Sequence, residues 1–291
     1  VTVVERGTRP GGKMGRREIG PYRWDSGPTI FTLPELFDQL WSAAGAKRSD
    51  DLTLLKVEPA SRTFFADGSV LDGHVADMLD AASATHLFLR GTRAGKSVWI
   101  ALPTTTSGVS IERTLLADTS RTLGTVALSG VAISAEHVLT PGDAGALDDD
   151  LLRIAAVSLA ADALGGGNAT LAATVDYMKG REQFNRVIGS FQALKHRVAD
   201  HKAALEAARG LVDHAASLDA DAPLALLAAL TAKQHVTRVV AEVARDCIQL
   251  HGGVGFTSEY VPHIYLKRAK LNEALFGTRS VVLDRIADIL E

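Results

Sequence analysis

Cysteine is almost absent from this sequence. Cys247 is the only one in 291 residues, which excludes an intrachain disulfide and any zinc cluster built on thiolates, and suits a reducing compartment. Histidine offers no substitute: the nearest pair, His196 and His201, is five apart, a spacing that does not stack two ligands on one helical face, and no metal is expected. Basic charge is not in excess either. With 31 Lys and Arg against 34 Asp and Glu, the net charge is −3 and the pI about 6.3, so neither nucleic acid nor an anionic membrane is expected as partner. No apolar run approaches the ~20 residues needed to span a bilayer, and no signal-peptide pattern opens the sequence, which points to a cytoplasmic location. Internal repeats and low-complexity tracts are missing as well.

What is present changes in texture along the chain. The opening VTVVERGTRPGGK is a β-branched run ending in Glu5, where a Rossmann-type strand would hold a ribose hydroxyl, followed by Gly11-Gly12. The glycine fingerprint that should precede such a strand by about 20 residues has no counterpart in the sequence. LPELFDQLWSAAG then repeats apolar residues at helical spacing, with Gly45 as a stop. From about 73 to 140, THLFLR, SVWIAL, VSIERTLL and LGTVALSGVAIS read as short antiparallel strands separated by Gly, Pro and Thr turns. Beyond Asp148–Asp150, whose charges suit a helix N-terminus, three long helical segments are expected near 150–180, 187–218 and 222–250, with shorter ones after Pro262. In the third, Leu224, Leu227, Val236, Val239, Val243, Cys247 and Leu250 mark a buried stripe that ends at His251-Gly252-Gly253. The fold class expected is α+β multidomain: a truncated Rossmann-like α/β fragment over 1–68, a partial antiparallel β-domain over 69–145, and a mainly α up-down helical bundle over 146–291.

Two glycine-rich stretches are read structurally. GTRAGKS at 91–97 misses the phosphate-loop spacing and leads into a strand rather than a helix, so a hairpin turn is expected. LGGGN at 164–168 lies in helical sequence, where close helix approach explains it better than a ligand does. Two other stretches carry chemistry. REQFNRVIGSFQALKHR (181–197) puts Arg181 at a helix end, where a guanidinium can reach a neighbouring molecule's phosphates, and Gln192 on the next helix. QLHGGVGFTSEY places Gln249 and the Cβ-free Gly252 and Gly253 at the end of a bundle helix. Taken alone, each is equally a helix end with no ligand.

Together these stretches, in this order, resemble the acyl-CoA dehydrogenase family from about Val70 (VLDGHVADML) onward. The resemblance implies FAD at a subunit interface of a homo- or hetero-oligomer, acyl-CoA as substrate, and α,β-dehydrogenation of the thioester. It implies flavin-dinucleotide contacts at Arg181 and Gln192. Gln249, Gly252 and Gly253 would meet the pyrophosphate of an FAD bound mainly by a neighbouring subunit, and Thr278 in LFGTRS would match the terminal flavin-contacting threonine. The chemistry also needs a carboxylate base. Many members place it immediately before the Gly-Thr of the last motif, where this sequence has Phe276; others place it early in the first long helix, where the count back from Arg181 gives Ala155. Asp162 and Glu259 are the nearby carboxylates, with the weight on surface or structural roles for both. The resemblance also implies that the family's N-terminal helical domain and first flavin motif are not represented.

The first 68 residues, VTVVERGTRPGGKMG with YRWDSGPTIFTLPELF, resemble phytoene-desaturase-like FAD oxidoreductases instead. That resemblance implies FAD contacts at Glu5, Arg9, Gly12 and Lys13. A chimeric chain is expected, its parts meeting near FFADGSVLDGHVAD (64–77) without a Gly, Ser or Pro-rich linker, and an artefactual or recently fused reading frame is the expected origin rather than a selected fusion. Three functions follow: an acyl-CoA dehydrogenase-like enzyme incomplete in this chain, a non-catalytic subunit contributing to a partner's FAD site, or a carotenoid-desaturase-type fragment.

Overall fold

The computed structural model describes residues 16–19, 22–25, 42, 45, 47, 62–65, 70–93, 96–139 and 144–291. The chain divides into two compact units, Val1–Ala60 and Ser61–Glu291. In the first, strands β1 (Arg16–Ile19) and β2 (Tyr22–Asp25) pair antiparallel, from Arg16 with Asp25 to Ile19 with Tyr22. The sequence reading had no hairpin here, although RREI and YRWD flank a Gly-Pro pair, the turn chemistry that closes one. Gly45 adopts φ 75 and donates its N–H to Ser42 O at 3.0 Å, the turn expected to end the amphipathic stretch. The expected opening strand, and with it Glu5, Arg9, Gly12 and Lys13, lies outside the described residues. What is described in this unit is an antiparallel hairpin rather than a parallel βαβ arrangement.

The second unit begins with a six-stranded sheet. It is built from β3 (Arg62–Phe65), β4 (Val70–Leu79), β5 (His86–Arg93), β6 (Lys96–Pro103), β7 (Val109–Thr114) and β8 (Leu123–Ala132), in spatial order β6-β5-β3-β4-β8-β7. The sheet therefore reaches back to Arg62, whereas the sequence boundary was set at 69. Every neighbouring pair is antiparallel except β3 with β5, which run parallel where Phe64 faces Thr92. GTRAGKS is the hairpin expected: Arg93 pairs with Lys96 across the β5–β6 turn. Val98, Ile100 and Leu102 bury alternate positions of β6 and pack with Leu71, Leu87, Leu89, Val126, Leu128 and Val131. Between Val75 and Met78 the register of β4 against β8 shifts, and Asp77 takes φ 56, a bulge that turns the strand locally.

The bundle follows as α1 (Gly145–Gly180), α2 (Gln192–Ser217), α3 (Ala225–His251), α4 (Pro262–Ala274) and α5 (Arg279–Leu290). Pro262 opens α4 in the first turn, where its missing N–H costs nothing. The LGGGN run sits in α1 and has the packing role expected of it at Gly167, where a Cβ would fall 2.9 Å from both Leu205 Cδ2 and Val240 Cγ2. The stripe of α3 is buried at Val236, Val239, Val243, Cys247 and Leu250, but Leu224 is 59% exposed because it caps the helix from outside. Cys247 is a core residue whose thiol burial pushes up, so it is not a nucleophile. Asp246 of α3 joins both Arg197 and His201 of α2, and all three side chains stay partly exposed, so the set does not carry the cost of a fully buried charge.

Polar contacts fix the sheet against the bundle. Asp148, in the first turn of α1, accepts from Trp99 Nε1 at 2.7 Å and pairs with Arg90 at 2.7 Å, so it does more than complement the helix dipole. Arg268 of α4 reaches Asp118, in the β7–β8 connection, at 2.6 Å, Ser120 Oγ at 2.5 Å and Asp162 of α1 at 3.3 Å. Burial alone would raise the Asp118 pKa, but hydrogen bonds from Ser120 and Arg268 and the guanidinium charge hold it below the usual carboxylate range.

Candidate functional site

Two cavities collect six of the residues singled out in the sequence. The first, about 420 Å³, lies where α1 and α3 end side by side. It brings together Arg181, Gln249, Gly252 and Gly253. Arg181 caps α1, donating its N–H to Tyr177 O at 2.9 Å and accepting from Ile188 N–H at 2.8 Å across the two-stranded turn of β9 (Glu182–Gln183) and β10 (Arg186–Val187). Its backbone is thus fixed at both faces while the side chain is exposed.

Gly252 ends α3 with φ 65 and ψ −143, a conformation L side chains avoid, and a Cβ at Gly252 or Gly253 would meet nothing within 4 Å. The result is a naked backbone edge facing open space. Behind it the Tyr177 and His251 rings stack at 4.3 Å, and the Tyr177 hydroxyl donates to His251 O at 3.3 Å. His251 Nδ1 lies 2.8 Å from Cys247 O, and since a carbonyl oxygen only accepts, Nδ1 is the donor. Two helix C-termini converge here, and their carbonyls make the floor electronegative; an anionic ligand depends on the Arg181 guanidinium to offset it. Gln192, expected beside Arg181, is exposed at the start of α2 and is not among the residues lining this cavity.

The second cavity, about 620 Å³, is an apolar cleft between the sheet, α1 and the α4–α5 corner. Ala155 of α1 and Phe276 of the corner, more than a hundred residues apart in sequence, both line it, with Trp99, Leu87, Leu151 and Ile154. Neither of the two positions holds a group that can take a proton. Among the lining residues the ionisable ones are Asp77, at the bulge, and His86, both exposed and both from the sheet. Asp162 and Glu259 do not line the cleft. Asp162 pairs with Arg268 at 3.3 Å and accepts from Asn272 Nδ2 at 2.6 Å, a structural arrangement; Glu259 is exposed in the loop before α4. Thr278 is the N-cap of α5, exposed, with its Oγ1 3.2 Å from Ser280 Oγ, two residues beyond Phe276.

Three features escaped the sequence reading. Trp99 and the Asp118–Arg268 pair depend on tertiary contacts that no local spacing announces. Lys233 did leave a signal: a single cation on the buried face of α3, three residues before Val236, where an apolar residue belongs.

An FAD dinucleotide fits the first cavity's chemistry, because the glycyl edge leaves room for a close ligand backbone and Arg181 faces the same space. Residues 149–291 match the family model described as acyl-CoA dehydrogenase, C-terminal domain. Among curated proteins, the chain is 41% identical over 139 residues to acyl-CoA dehydrogenase IpdE2 of Mycobacterium tuberculosis, covering 48% of this chain and 42% of that one. It is also 49% identical over 74 residues to phytoene dehydrogenase of Streptomyces griseus, covering 25% of this chain and 15% of that protein. Among solved structures, butyryl-CoA dehydrogenase from Megasphaera elsdenii superposes with a TM-score of 0.73 at 25% identity, covering 79% of this chain and 63% of that one. The chain therefore spans less than two thirds of each of these relatives. Among the described residues no helix is long and apolar enough to cross a membrane, and no group of three metal-ligating side chains is assembled.

Proposed function

We propose that this chain, whose residues 149–291 match the acyl-CoA dehydrogenase C-terminal domain family, is an FAD-dependent acyl-CoA dehydrogenase-type polypeptide directed to α,β-dehydrogenation of an acyl-CoA thioester in the cytoplasm. Its own cleft supplies no base at the two usual positions, so it acts as the FAD-contributing partner in an oligomer. The observation that carries the reading is the meeting of Ala155 and Phe276 on the wall of one apolar cleft.

The roles divide between the two cavities. FAD, when bound, would supply the hydride acceptor for the β-carbon. At the helix ends, Arg181 would clamp a phosphate through its planar fork, with Gln249 as a polar neighbour and the Gly252-Gly253 edge admitting the ligand backbone. Thr278 and Gln192 would reach other parts of the cofactor, held mainly by a neighbouring subunit. In the cleft, Trp99, Leu87, Leu151 and Ile154 would exclude water from the acyl chain. Phe276 fills the place from which a carboxylate would take the α-proton, and Ala155 offers nothing in exchange.

The stretch similar to phytoene dehydrogenase supports a chimeric ancestry for the first unit. It spans 15% of that relative, so the reaction read here rests on the second unit. The test is FAD titration of the purified chain, alone and mixed with a complete acyl-CoA dehydrogenase, followed by flavin fluorescence. Arg181→Ala is expected to weaken FAD binding about tenfold, the loss of one charge-assisted contact. Equal FAD binding by the variant and the wild-type chain in both settings would remove the proposed cradle.

A further inference from the structure

Lys233 is a buried cation that neither cavity uses. It sits in the first third of α3 with 1% of its surface exposed. Its Nζ donates to Gly277 O at 2.7 Å and, more weakly, to Glu273 O at 3.4 Å. Glu273 lies in the last turn of α4, where carbonyls have no partner within their helix and a positive charge is favoured. Gly277 lies beyond the helix. The ammonium therefore ties the end of α4 to the far side of the corner that leads into α5.

That corner is not one the backbone would keep unaided. Phe276 at φ 54 and Gly277 at φ 104 are consecutive residues in the left-handed half of conformational space, and Phe has no local side-chain bond to support it there. Phe276 is 53% exposed, so packing alone does not hold it. Leu275 and Phe276 nevertheless form part of the cleft wall.

We propose that Lys233 is a positioning residue: from inside the bundle its side chain holds the 273–277 corner closed and so sets where Leu275 and Phe276 stand in the wall of the apolar cleft. Burial pushes its pKa down to about 8, against the opposing field of Glu273, whose carboxylate also pairs with Lys270 at 2.6 Å. An amine near that value still donates hydrogen bonds in either protonation state. The inference concerns the cleft itself and stands whether or not the cleft takes an acyl-CoA.

The experiment uses the full chain and two readouts: amide hydrogen exchange over residues 275–280, and binding of the uncharged fluorophore N-phenyl-1-naphthylamine, with Ala155→Trp as a filled-cleft control that should abolish the signal. In Lys233→Met, with helical circular dichroism retained, exchange over 275–280 should accelerate about tenfold while the core amides of α3 stay protected. Fluorophore affinity should fall about fivefold. Gly277→Ala, which strains the same corner with Lys233 in place, should reproduce both effects, and Lys233→Gln, which keeps a neutral donor, should restore part of each. If Lys233→Met does not fold, Lys233→Gln against wild type carries the comparison at reduced amplitude. Unchanged exchange and affinity at the corner, or acceleration spread evenly over α3 and α4, would overturn the proposal.

Discussion

Replacing Arg268 by methionine should loosen the seam that shapes the cleft. The side chain of Asp118 is 1% exposed, and its outer oxygen is satisfied by Arg268 Nε at 2.6 Å. Methionine keeps the length and apolar stem but leaves that oxygen facing a dry interior. Removing one partner of a buried pair costs about 3–5 kcal/mol. The lower end applies here, because Ser120 N–H still donates to Asp118 at 2.9 Å. The second pair, with Asp162, is partly exposed and adds no more than about 1 kcal/mol. A loss of about 3 kcal/mol is therefore expected in urea unfolding near neutral pH, read as a lower midpoint with an unchanged slope. The acid limb gives an independent check. The folded-state pKa of Asp118 is depressed, so its contribution is present above the unfolded carboxylate pKa and is lost as pH falls through the folded one. Arg268→Met should flatten that part of the profile. Adding Asp118→Asn to Arg268→Met should recover much of the loss, since no charge then remains buried. A single-variant cost under about 1 kcal/mol, or a coupling near zero in the double-mutant cycle, would refute the reasoning.

Lys233→Met should change the alkaline profile in the opposite sense. The folded pKa is lowered from 10.5 to about 8, so the burial penalty is present below about 8 and is relieved as pH rises toward 10.5. Wild type should gain up to about 3 kcal/mol across that window relative to the variant, measured by urea unfolding at several pH values. Gly167→Leu should fail to fold or lose more than about 3 kcal/mol, because even a Cβ there falls 2.9 Å from Leu205 and Val240, and thermal unfolding reads the outcome. Leu205→Ala, at 0% exposure between α1 and α3, should cost about 3 kcal/mol in the same assay.

The helical half of the molecule was legible because its signals are local. Apolar steps of three and four marked α3, His251-Gly252-Gly253 marked its end, and Pro262 marked the start of α4. Leu224 was misplaced on the buried stripe because a cap residue shares the helical spacing without sharing the helix's packing. The sheet strands were visible from β-branched runs, yet the parallel pairing of β3 with β5 was not, since alternation fixes which face is buried and says nothing of neighbour order. At the first cavity, the family resemblance rather than any spacing implied that Arg181, Gln249, Gly252 and Gly253 serve one ligand, and it grouped with them Gln192, which does not line the cavity. The cleft was half legible. The family resemblance pointed to Ala155 and Phe276 as the two base positions without a carboxylate, but that one apolar wall contains both is a property of tertiary packing.

The account stands most directly on proton abstraction. The chain should be loaded with FAD, alone and with a complete acyl-CoA dehydrogenase partner, and mixed anaerobically with acyl-CoA while flavin absorbance is followed through a single turnover. The account predicts no bleaching by the chain alone and bleaching once Phe276→Glu places a carboxylate in the cleft. Rapid bleaching by the unaltered chain alone would contradict it, because the base would then be a group other than the side chains at positions 155 and 276, such as Asp77 or His86 on the sheet side of the cleft.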